Sequence, residues 1–428
     1  MVAQHYEFLI VGSGAGGATL ARELSLRGKH VLLLESGHRE TSIGTYRDSM
    51  RYYDRSRWTK RAARSREGVI LWRTLMAGGS TMVTTGSATR CLEEELAAFG
   101  IELDAELSEA EADTKPAPIP EQLLSDASQR LMAAAQSLGH RLERIPKSID
   151  VSICRRCGNC TLGCAHGAKW SALNYLDEAV ANGAEVVYGT WARQVIVEGG
   201  RARGVRATGP AGETHYSADA VILAAGGVGT PVILQASGIE SAGHGLFGDL
   251  YITTSGLIKG LHQLREPMTP LVGLEFRRSR GFILRAPHIM PRSVRHIRIG
   301  PLSAWVPPYH LVGFMVKIAD EAVGRVYPDG SVSKPVTSQD WSRLREGSSI
   351  ARDILIQAGA HPRFIVRSRP MAANLGGTAA IGRVVDKDLQ TEVQGLFVCD
   401  SSVLPEAPGM PPILTIIALA KRLSKRLA

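Results

Sequence analysis

Residues 6–17 read Tyr-Glu-Phe-Leu-Ile-Val-Gly-Ser-Gly-Ala-Gly-Gly, an apolar stretch that runs into a glycine-rich turn. Helical periodicity follows from Ala18 to Leu26, and residues 31–34 form a second apolar stretch that ends at Glu35. A short apolar run stopped by glycine is typical of a buried strand. The order therefore predicts a βαβ unit, the opening of a Rossmann-like α/β domain.

The glycines and the acid of this unit meet the requirements of a dinucleotide site. Gly12 allows the tight turn, Gly14 lets the backbone approach a pyrophosphate, and Gly17 lets the helix pack against the strand. The helix N-terminus offers free N–H groups to phosphates. Glu35 stands where a carboxylate can accept hydrogen bonds from an adenosine ribose, which disfavours NADP but leaves NAD and FAD as candidates.

Composition places the chain among ordinary globular proteins. Of its 428 residues, 44% are hydrophobic and 21% are charged, which excludes disorder, collagen and coiled coil. No window approaches the roughly 20 uninterrupted apolar residues of a membrane span. The N-terminal residues lack the pattern of a signal peptide. We therefore expect a cytoplasmic protein.

The chain has a net charge of +9, and many basic side chains lie between Arg47 and Arg66. Their partly helical spacing indicates a solvated helix face, or else a surface for an acidic protein or an anionic membrane. No nucleic-acid motif accompanies the charge, so nucleic acid is not an expected partner. Basic residues on the last helix, beside Leu419 and Leu423, leave membrane-surface contact as an alternative to packing within the chain.

Three later blocks carry further small-residue turns. Residues 75–86 contain the turn Gly78-Gly79-Ser80, and residues 218–239 predict a strand followed by a helix that begins at Thr230 and Pro231. The last block runs from Gly395 through Asp400 to Pro405, and after a Pro/Gly-rich turn it predicts an apolar helix from Pro412.

Together the four blocks resemble, in order and spacing, the glucose–methanol–choline (GMC) oxidoreductases, which are FAD flavoproteins. The resemblance implies an α/β fold in which a Rossmann-like FAD-binding domain is joined to an α+β substrate domain built on an antiparallel sheet. It implies the following cofactor contacts: Gly12, Gly14, Gly17 and Glu35 on the ADP half, Gly78, Gly79 and Ser80 along the pyrophosphate and the flavin edge, Asp400 on the ribityl chain, and amides near Ile413 facing the flavin C2 oxygen. A helix N-terminus there would stabilise the negative charge of a reduced flavin.

The resemblance also divides the chain. The expected FAD-binding domain comprises residues 1–95, 165–255 and 368–428, the expected substrate domain comprises residues 96–150 and 256–367, and residues 151–167 form a cysteine-rich loop. Within the substrate domain, residues 274–277 and 310–314 alternate like strands, residues 328–331 predict a hairpin turn, and residues 341–358 predict a helix. The chain is short for the family, so we expect an open flavin or one that another subunit covers.

The chain departs from the family at the position of the usual base. Alcohol-oxidising members have a histidine before a Gly-Thr pair, and Asn374 takes that position here, while Pro411 takes the position of the second histidine or asparagine. An amide cannot accept a proton at physiological pH, and proline has no side-chain donor or acceptor. Asn374 can still orient a substrate oxygen or hydrogen-bond the flavin.

Three hypotheses remain for the chemistry. Another residue acts as the base, with His288 and His310 the leading candidates beside Asn374, and His296 and Tyr309 as further ones. Alternatively, water handles the proton of a hydride transfer, or the reaction takes place at a C=C bond. In the third hypothesis the protein passes electrons without catalysis. The substrate is expected to be a small, hydroxylated organic compound.

Four cysteines lie in one run, namely Cys154, Cys157, Cys160 and Cys164. Their Cys-x2-Cys-x2-Cys-x3-Cys spacing is that of bacterial ferredoxins, and it lets thiolates converge on one centre. We predict an iron–sulfur cluster, 4Fe–4S or 3Fe–4S, that passes electrons from the flavin to an acceptor other than oxygen, either an acidic protein or another subunit.

Two alternatives to the cluster stay open. One is a structural zinc in an oxidase that uses dioxygen, and the other is a run of metal-free thiols. The fourth cluster ligand is Cys164, or else the isolated Cys91 or Cys399, or the fourth position is vacant. Otherwise Cys91 and Cys399 are expected to be buried core thiols.

Overall fold

The computed structural model describes residues 5–55, 63–261, 265–288 and 311–428. Its strands are β1 (His5–Val11), β2 (Val31–Leu34), β3 (Ile70–Leu71), β4 (Ala117–Pro118), β5 (Glu143–Arg144), β6 (Pro146–Lys147), β7 (Glu185–Val187), β8 (Trp191–Glu198), β9 (Arg201–Gly209), β10 (Gly212–Leu223), β11 (His244–Leu246), β12 (Tyr251–Leu257), β13 (Leu271–Gly273), β14 (Phe282–Ala286), β15 (Leu311–Ile318), β16 (Gly324–Val326), β17 (Val332–Ser333), β18 (Val366–Arg367), β19 (Met371–Ala372) and β20 (Leu396–Val398).

Its helices are α1 (Ala15–Ser25), α2 (Tyr46–Tyr52), α3 (Glu93–Ala97), α4 (Asp104–Thr114), α5 (Asp126–Ser137), α6 (Ala172–Ala181), α7 (Gly226–Ala236), α8 (Glu275–Arg280), α9 (Ser338–Gln357) and α10 (Ile413–Leu427). Short 3₁₀ turns lie at Gly79–Val83, Glu121–Leu123, Cys160–Leu162, Pro362–Phe364 and Ser401–Val403.

The first sheet has the strand order β7-β2-β1-β10-β9-β8, with β20 beside β10. β1 is parallel to β2 and β10, β2 is parallel to β7, and β10 is parallel to β20. β9 pairs antiparallel with both β8 and β10. Every residue of β2 is buried, as expected of a parallel strand whose two faces are covered. This sheet confirms the predicted Rossmann-like unit.

The second sheet has the order β3-β19-β12-β15-β14-β13-β5, with β18 also beside β12. Its pairings are antiparallel except that of β3 with β19. This confirms the predicted antiparallel sheet. β3 and β19 come from segments that the sequence analysis assigned to the other domain, and the expected domain boundaries stay a prediction.

Alternation along β15 separates the two faces of the second sheet. Phe314 and Val316 lie in the hydrophobic core that includes residues of α9, whereas Met315 and Lys317 line a cavity on the opposite face. Successive side chains of a strand point to opposite faces, so one buried strand contributes both to the core and to the cavity. The lysine is the charged member of this otherwise apolar strand.

Two predicted features of the second half are present. β16 and β17 pair antiparallel on either side of the predicted hairpin turn, in which Gly330 has a φ of +78°. α9 covers the predicted helix and begins three residues earlier than expected, at Ser338. The earlier start follows from a capping box, because the Thr337 side chain accepts from the Asp340 N–H and the Asp340 carboxylate accepts from the Thr337 N–H.

The expected strand at residues 274–277 is wrong, because Glu275–Arg280 form α8. The helix ends at Gly281, whose φ of +73° suits a glycine after a helix. Three arginines occupy the last turn, where positive charge interacts favourably with the helix C-terminus. Four residues are too few for alternation to distinguish a strand from a helix.

The expected start of α7 at Thr230 and Pro231 is also wrong. The helix begins at Gly226 and contains Pro231. A proline inside a helix leaves the carbonyl four residues earlier without its usual N–H partner. Here that carbonyl, of Gly227, accepts a hydrogen bond from Thr378 Oγ1 at 2.9 Å, so a side chain replaces the missing backbone donor.

The last helix packs within the chain. Leu414, Leu419 and Leu423 on α10 are buried in the core of the first sheet, and α10 contacts α1 and α4. Among the residues placed by the structure, none of the helices combines the length and the apolar character needed to cross a membrane.

Candidate active site

A cavity of about 500 Å³ reaches from the carboxyl ends of β1 and β2 to the second sheet. In open α/β sheets, ligands bind at this end of the parallel strands. The predicted site residues that line the cavity are Gly12, Gly14, Glu35, Gly79, Ser80, His288, Asn374, Asp400 and Ile413. Gly17 and Gly78 lie behind its wall.

The first glycine turn has the geometry that a pyrophosphate needs. Gly12 has a φ of +100°, and a Cβ at this position would lie 2.4 Å from the Ala224 carbonyl oxygen. A Cβ on Gly17 would lie 1.8 Å from the Gly12 carbonyl oxygen, so the helix packs directly on the turn. A Cβ on Gly14 would meet no atom within 4 Å. The backbone at Gly14 therefore borders open space beside the N-terminus of α1.

Glu35 is buried and its carboxylate is held firmly. One oxygen accepts from the Ser13 N–H at 3.0 Å and from Ser13 Oγ at 2.5 Å. The other oxygen accepts from the Gly37 N–H at 2.7 Å. These bonds fix an acceptor at the end of β2, where an adenosine ribose is expected. Ser13, which the sequence analysis did not select, orients it.

The second glycine turn packs on the first. Gly78, with a φ of +82°, donates its N–H to Ser13 Oγ at 3.0 Å. A Cβ on Gly79 would lie 3.0 Å from Gly14 Cα. Because Gly79 and Ser80 also line the cavity, both turns present backbone to the same space.

Asp400 links the cavity wall to the start of α7. Its carboxylate accepts from the Gly226 N–H at 2.8 Å, from Thr230 Oγ1 at 2.6 Å and from the Ser402 N–H at 2.7 Å. Burial raises the pKa of this carboxyl despite these bonds. The predicted bond from Asp400 to the ribityl chain stays a prediction.

The N-terminus of α10 completes this part of the wall. Pro411, Pro412 and Ile413 line the cavity, and the first amides of a helix have no partners within it. Free N–H groups, two glycine turns and a fixed carboxylate in one cavity fit the phosphates, ribose and flavin ring of FAD.

At the far end of the cavity, the residue in the usual base position belongs to a buried network. Asn374 Nδ2 donates to Asp249 Oδ2 at 2.7 Å, and Lys317 Nζ lies 2.7 Å from the same oxygen. The other Asp249 oxygen accepts from the Gly409 N–H at 2.8 Å. Asp249 is fully buried, whereas Asn374 and Lys317 line the cavity.

Lys317 is the titratable member of this network that borders the cavity. Burial lowers the pKa of its ammonium group, Asp249 counteracts that effect, and the positive charge of Arg285 adds to it. The net direction is downward from the usual 10.5. Lys317 and Asp249 were not predicted from the sequence, although a single lysine in the apolar strand 311–318 is a signal that could have identified the first of them.

Arg285 is a second buried cation on the cavity wall. Its Nη2 donates to Thr85 Oγ1 at 3.0 Å, to Ser87 Oγ at 2.5 Å and to Thr269 Oγ1 at 3.0 Å. Burial lowers the pKa of the guanidinium to about 10. The sequence analysis missed this residue as well.

Of the predicted histidines, the structure places one at the cavity. His288 is buried and lines the cavity wall. Its backbone N–H donates to the Gly313 carbonyl at 2.6 Å, which ties the residue to β15. His296, Tyr309 and His310 lie outside the described residues. Because a neutral imidazole nitrogen can accept a proton, His288 stays a candidate base.

The cysteine run lies beside the cavity. Thr161 and Leu162, between the third and fourth cysteines, line its wall. The Leu162 carbonyl accepts from Tyr52 OH at 2.5 Å, and the Thr161 carbonyl accepts from Tyr53 OH at 2.5 Å. The loop is thus anchored next to the expected flavin position.

The structure does not support the predicted metal site in this run. Within the described ranges, no three His, Cys, Asp or Glu side chains are grouped so as to hold a metal ion. The thiols are all free and differ in environment, with Cys160 buried, Cys154 and Cys164 partly buried, and Cys157 exposed. The iron–sulfur cluster and the zinc alternative are therefore unsupported for Cys154, Cys157, Cys160 and Cys164.

Cys91 and Cys399 are buried core thiols, as expected. Cys91 Sγ lies 3.3 Å from Thr415 Oγ1 on α10, and burial raises the pKa of this thiol to about 12. Burial also raises the pKa of the Cys399 thiol. Because both thiols lie in the core of the first sheet, neither is placed to act as a fourth cluster ligand.

Two further buried lysines stand behind the cysteine run. Lys147 Nζ donates to the Thr85 carbonyl at 2.7 Å and to Ser87 Oγ at 3.1 Å, and Lys169 Nζ donates to the Thr81 carbonyl at 2.7 Å. Burial lowers the pKa of Lys147 well below its usual value and that of Lys169 to about 8. Both lysines tie the segment after the second glycine turn to the rest of the cavity wall.

The fold and this site define a class of protein: an α/β oxidoreductase that binds a dinucleotide cofactor beneath an antiparallel substrate sheet. A family model described as GMC oxidoreductase matches residues 6–276, and the C-terminal model of the same description matches residues 324–420. The chain belongs to the GMC oxidoreductase family, and its cofactor is accordingly FAD.

Relatives along the whole chain agree with this assignment. An uncharacterized GMC-type oxidoreductase of Mycobacterium tuberculosis is 30% identical over 96% of this chain and 74% of its own length. An uncharacterized protein of Methanocaldococcus jannaschii is 29% identical over 97% of this chain and 98% of its own length. A long-chain-alcohol oxidase of Arabidopsis thaliana is 24% identical over 98% of this chain and 67% of its own length.

Solved structures share the fold. The crystal structure of pyridoxine 4-oxidase from Mesorbium loti has a TM-score of 0.73 at 17% identity, covering 98% of this chain and 99% of that one. A formate oxidase variant from Aspergillus oryzae has a TM-score of 0.74 at 16% identity, covering 99% of this chain and 98% of that one.

Proposed function

We propose that the protein is an FAD-dependent oxidoreductase that oxidises a CH–OH group of a small hydroxylated compound, with Lys317 as the residue that takes the hydroxyl proton. The observation that carries this proposal is the shared Asp249 carboxylate. It binds Asn374, which stands in the usual base position, and Lys317, which borders the same cavity.

The three residues have complementary roles in the proposal. Asn374 uses its Nδ2 on Asp249, and its Oδ1, which accepts no hydrogen bond from the described residues, can accept one from the substrate hydroxyl. Lys317 in its neutral form takes the hydroxyl proton at Nζ. Asp249 then stabilises the resulting ammonium, because opposite charges 2.7 Å apart favour the charged form.

Bound FAD supplies the two-electron acceptor for the hydride that leaves the carbon. The protein contributes the position of the substrate and the path of the proton. A base with a lowered pKa suits this task, since general-base catalysis is most efficient when the pKa of the base lies near the working pH. The name of one relative, a long-chain-alcohol oxidase, supports oxidation of a CH–OH group.

The experiment is anaerobic mixing of the FAD-loaded protein with a panel of primary alcohols, secondary alcohols, polyols and hydroxy acids. We expect at least one class to bleach the oxidised-flavin absorbance and to yield one carbonyl product per FAD. Compounds with an activated C=C bond serve as the comparison. If the flavin stays oxidised with every member of the panel, the protein is instead a carrier of electrons without substrate chemistry.

Transfer of electrons through an iron–sulfur cluster is a second candidate function. Two observations favour it: the cysteine run borders the cavity, and the positive charges of Lys147 and Lys169 act on Cys160. Buried cations beside thiols would suit a negatively charged cluster. The absence of a preformed metal grouping among the described residues speaks against it.

Iron and acid-labile sulfide analysis of anaerobically purified protein tests this candidate. A cluster predicts at least three irons per chain, as a 3Fe–4S centre requires, and loss of iron in a Cys160→Ser variant. Zinc in place of iron favours the dioxygen-using oxidase. Protein that is free of metal and bleaches with substrate rejects the cluster but leaves the oxidation of a CH–OH group intact.

A further inference from the structure

The cavity face of the second sheet carries two cations on neighbouring strands. Arg285 of β14 pairs with Met315 of β15, and Lys317 pairs with Ile283, so Arg285 and Lys317 are diagonal neighbours. Diagonal Cα atoms in an antiparallel pair lie about 7–8 Å apart. Tyr251 pairs with Lys317 from the other side. Arg285, Lys317, Met315 and Tyr251 all line the cavity.

The two cations differ in their partners. Lys317 pairs with Asp249, but Arg285 donates only to three hydroxyl groups within the described part of the chain. Lys147 is a neighbouring buried lysine, and its pKa is lowered by burial and by the charge of Arg285. The carboxylate of Glu266 instead raises the pKa of Lys147. The oxygens of Glu266 accept hydrogen bonds from Ser125 and Ser128.

Arg285 also retains unused donors. Its Nε is buried and donates to no described residue. A buried charge without an opposite charge is costly. A carboxylate would give the guanidinium a charge-assisted hydrogen bond through a donor other than Nη2, which three hydroxyl groups already use. The indole Nε1 of Trp72, which lines the same cavity, likewise has no partner among the described residues.

We propose that Arg285 binds a carboxylate group of the substrate, and that the substrate class is therefore small hydroxy acids. The inference rests on the proposed function and extends it. The hydroxyl group lies at Lys317 and Asn374, the carboxylate at Arg285, and Met315 and Tyr251 cover the carbon atoms between them. The three hydroxyl groups on Nη2 hold the guanidinium in place before the substrate arrives.

The reaction balances with the cofactor already named. The substrate carbon loses a hydride to bound FAD, its hydroxyl loses a proton to Lys317, and a C=O bond forms, so that a hydroxy acid becomes an oxo acid and FAD is reduced by two electrons. A single turnover in the absence of oxygen needs no further oxidant.

Matched pairs of probes isolate the contribution of the carboxylate. Lactate, glycolate and 3-hydroxybutyrate are compared with lactamide, glycolamide and 3-hydroxybutyramide, which have the same shape without the charge. At equal, sub-saturating concentration, we expect the best acid to bleach the flavin about 10- to 100-fold faster than its amide, the range of a charge-assisted hydrogen bond. Equal rates for acids and amides overturn the inference.

Variants of Arg285 test whether this residue causes the preference for acids over amides. Arg285→Gln removes the charge and is expected to abolish the preference for acids, whereas Arg285→Lys keeps part of it. Arg278→Gln on α8 is the matched control, because the Arg278 side chain is 91% exposed and lies outside the cavity wall. A preference for acids that survives in Arg285→Gln also overturns the inference.

A binding measurement separates this inference from the proposed function. Propionate, which has no hydroxyl group to oxidise, is titrated into the FAD-loaded protein, with propionamide as the control. A change in the flavin spectrum with propionate alone, lost in Arg285→Gln, supports the anion subsite even if no alcohol is oxidised. No change with propionate overturns the subsite, while bleaching by neutral alcohols in the same preparation leaves the proposed function standing.

Discussion

Lys317–Asp249 and Lys334–Asp320 are both buried ion pairs, but their surroundings differ. Lys334 Nζ lies 2.9 Å from Asp320 Oδ2 and also donates to the carbonyls of Glu321 and Pro335. Those backbone acceptors use up its donors away from the cavity. Lys317 instead borders the cavity and shares its carboxylate with Asn374. Asp320 accepts from the N–H groups of Gly248 and Leu250, on either side of Asp249. The Lys334–Asp320 pair therefore supports the backbone of the network, whereas Lys317 is the lysine with a proposed chemical role.

Two glycines of the first turn should respond differently to alanine. A Cβ at residue 17 would lie 1.8 Å from the Gly12 carbonyl oxygen, whereas one at residue 14 would meet no atom within 4 Å. We expect Gly17→Ala to destabilise the fold by about 1–3 kcal/mol, as overpacking does. Gly14→Ala should leave the stability of the FAD-free protein within about 0.5 kcal/mol of wild type but weaken FAD binding.

Urea unfolding of the FAD-free proteins and fluorescence titration with FAD measure the two effects separately. Gly28→Ala, in the turn after α1 and outside the cavity wall, is the control for the FAD titration. Its φ of +73° makes alanine costly for stability, but its FAD affinity should match that of wild type. Unchanged FAD affinity in Gly14→Ala would contradict the assignment of the pyrophosphate to this turn.

Sequence could predict the residues of the glycine turns but not the Lys317 network. The turns are local, so spacing alone relates Gly12 to Gly17 and Glu35. Asp249 and Lys317 lie far apart in the chain and meet only because the end of β15 pairs with the start of β12. Asn374 could be identified because it aligns with the usual base position of the family. The alignment did not point to Asp249, whose carboxylate holds Asn374.

At the scale of elements, α10 joins the two neighbouring helices α1 and α4 through buried charge. Lys421 Nζ lies 3.0 Å from Glu23 of α1 and 2.9 Å from Asp113 of α4, and its side chain is only 5% exposed. Lys425, one turn later, pairs with Glu106 and Glu109 at the surface. The basic residues of this helix thus have partners within the chain.

We expect Lys421→Met to lower the free energy of unfolding by about 1–3 kcal/mol at pH 7, because it removes a buried cation from Glu23 and Asp113, which retain Arg22 and, in the case of Glu23, Arg27. The matched change Lys425→Met should cost less than about 1 kcal/mol, since that pair is more exposed. Denaturant unfolding of both variants beside wild type checks this. Equal losses of unfolding free energy in the two variants would contradict the proposed role of Lys421 in holding the three helices together.

The cost of Lys421→Met should also depend on pH. Burial raises the pKa of Asp113, but the hydrogen bonds from Lys421 and Tyr175 outweigh it, so the net shift is below the usual 3.8. A carboxyl whose pKa is lowered by folding contributes stability above its unfolded pKa and loses it as the pH falls. The difference between wild type and Lys421→Met should therefore narrow below about pH 4 in unfolding experiments across pH. A constant difference down to pH 2 would contradict this pairing.

The cysteine run should show graded reactivity towards an alkylating reagent. Cys157 is exposed, Cys154 and Cys164 are partly buried, and Cys160 is buried. We expect iodoacetamide to modify Cys157 first in the native protein, as followed by peptide mass spectrometry, because it is the most accessible thiol. Cys91 and Cys399 serve as buried internal controls that react only after unfolding. Protection of all four run thiols, released by an iron chelator, would instead indicate a bound cluster.

The elements that sequence predicted well are those with long local patterns. The βαβ opening and α9 each span enough residues for their periodicity to be distinctive. The start of α8 was predicted as a strand because the four residues considered, 274–277, are too few to show a clear period. The start of α7 was misplaced because Pro231 normally marks a first turn, and the Thr378 hydroxyl that compensates for it comes from a distant segment.

In the molecule as a whole, the proposed function depends on a cavity that is lined by residues of both sheets. The parallel sheet supplies Gly14 and Glu35, and the antiparallel sheet supplies Tyr251, Lys317 and Arg285. The resemblance to a family predicted the two sheets, whereas the boundaries drawn between the domains stay a prediction. It could not predict the cationic character of the substrate end, because that depends on which strand residues face inward.

The proposal that Lys317 takes the hydroxyl proton is tested most directly by the rate of flavin reduction, measured as a function of pH with a substrate that bleaches the flavin. Because the pKa of Lys317 is lowered and the neutral amine is the proposed proton acceptor, the wild-type rate should rise with pH and level off below pH 10.5. Lys317→Met should be at least about 100-fold slower and lack this rise. Lys425→Met, at the surface of α10 and outside the cavity wall, should keep the wild-type profile. A Lys317→Met protein that retains FAD, the wild-type rate and the same pH profile would contradict the account.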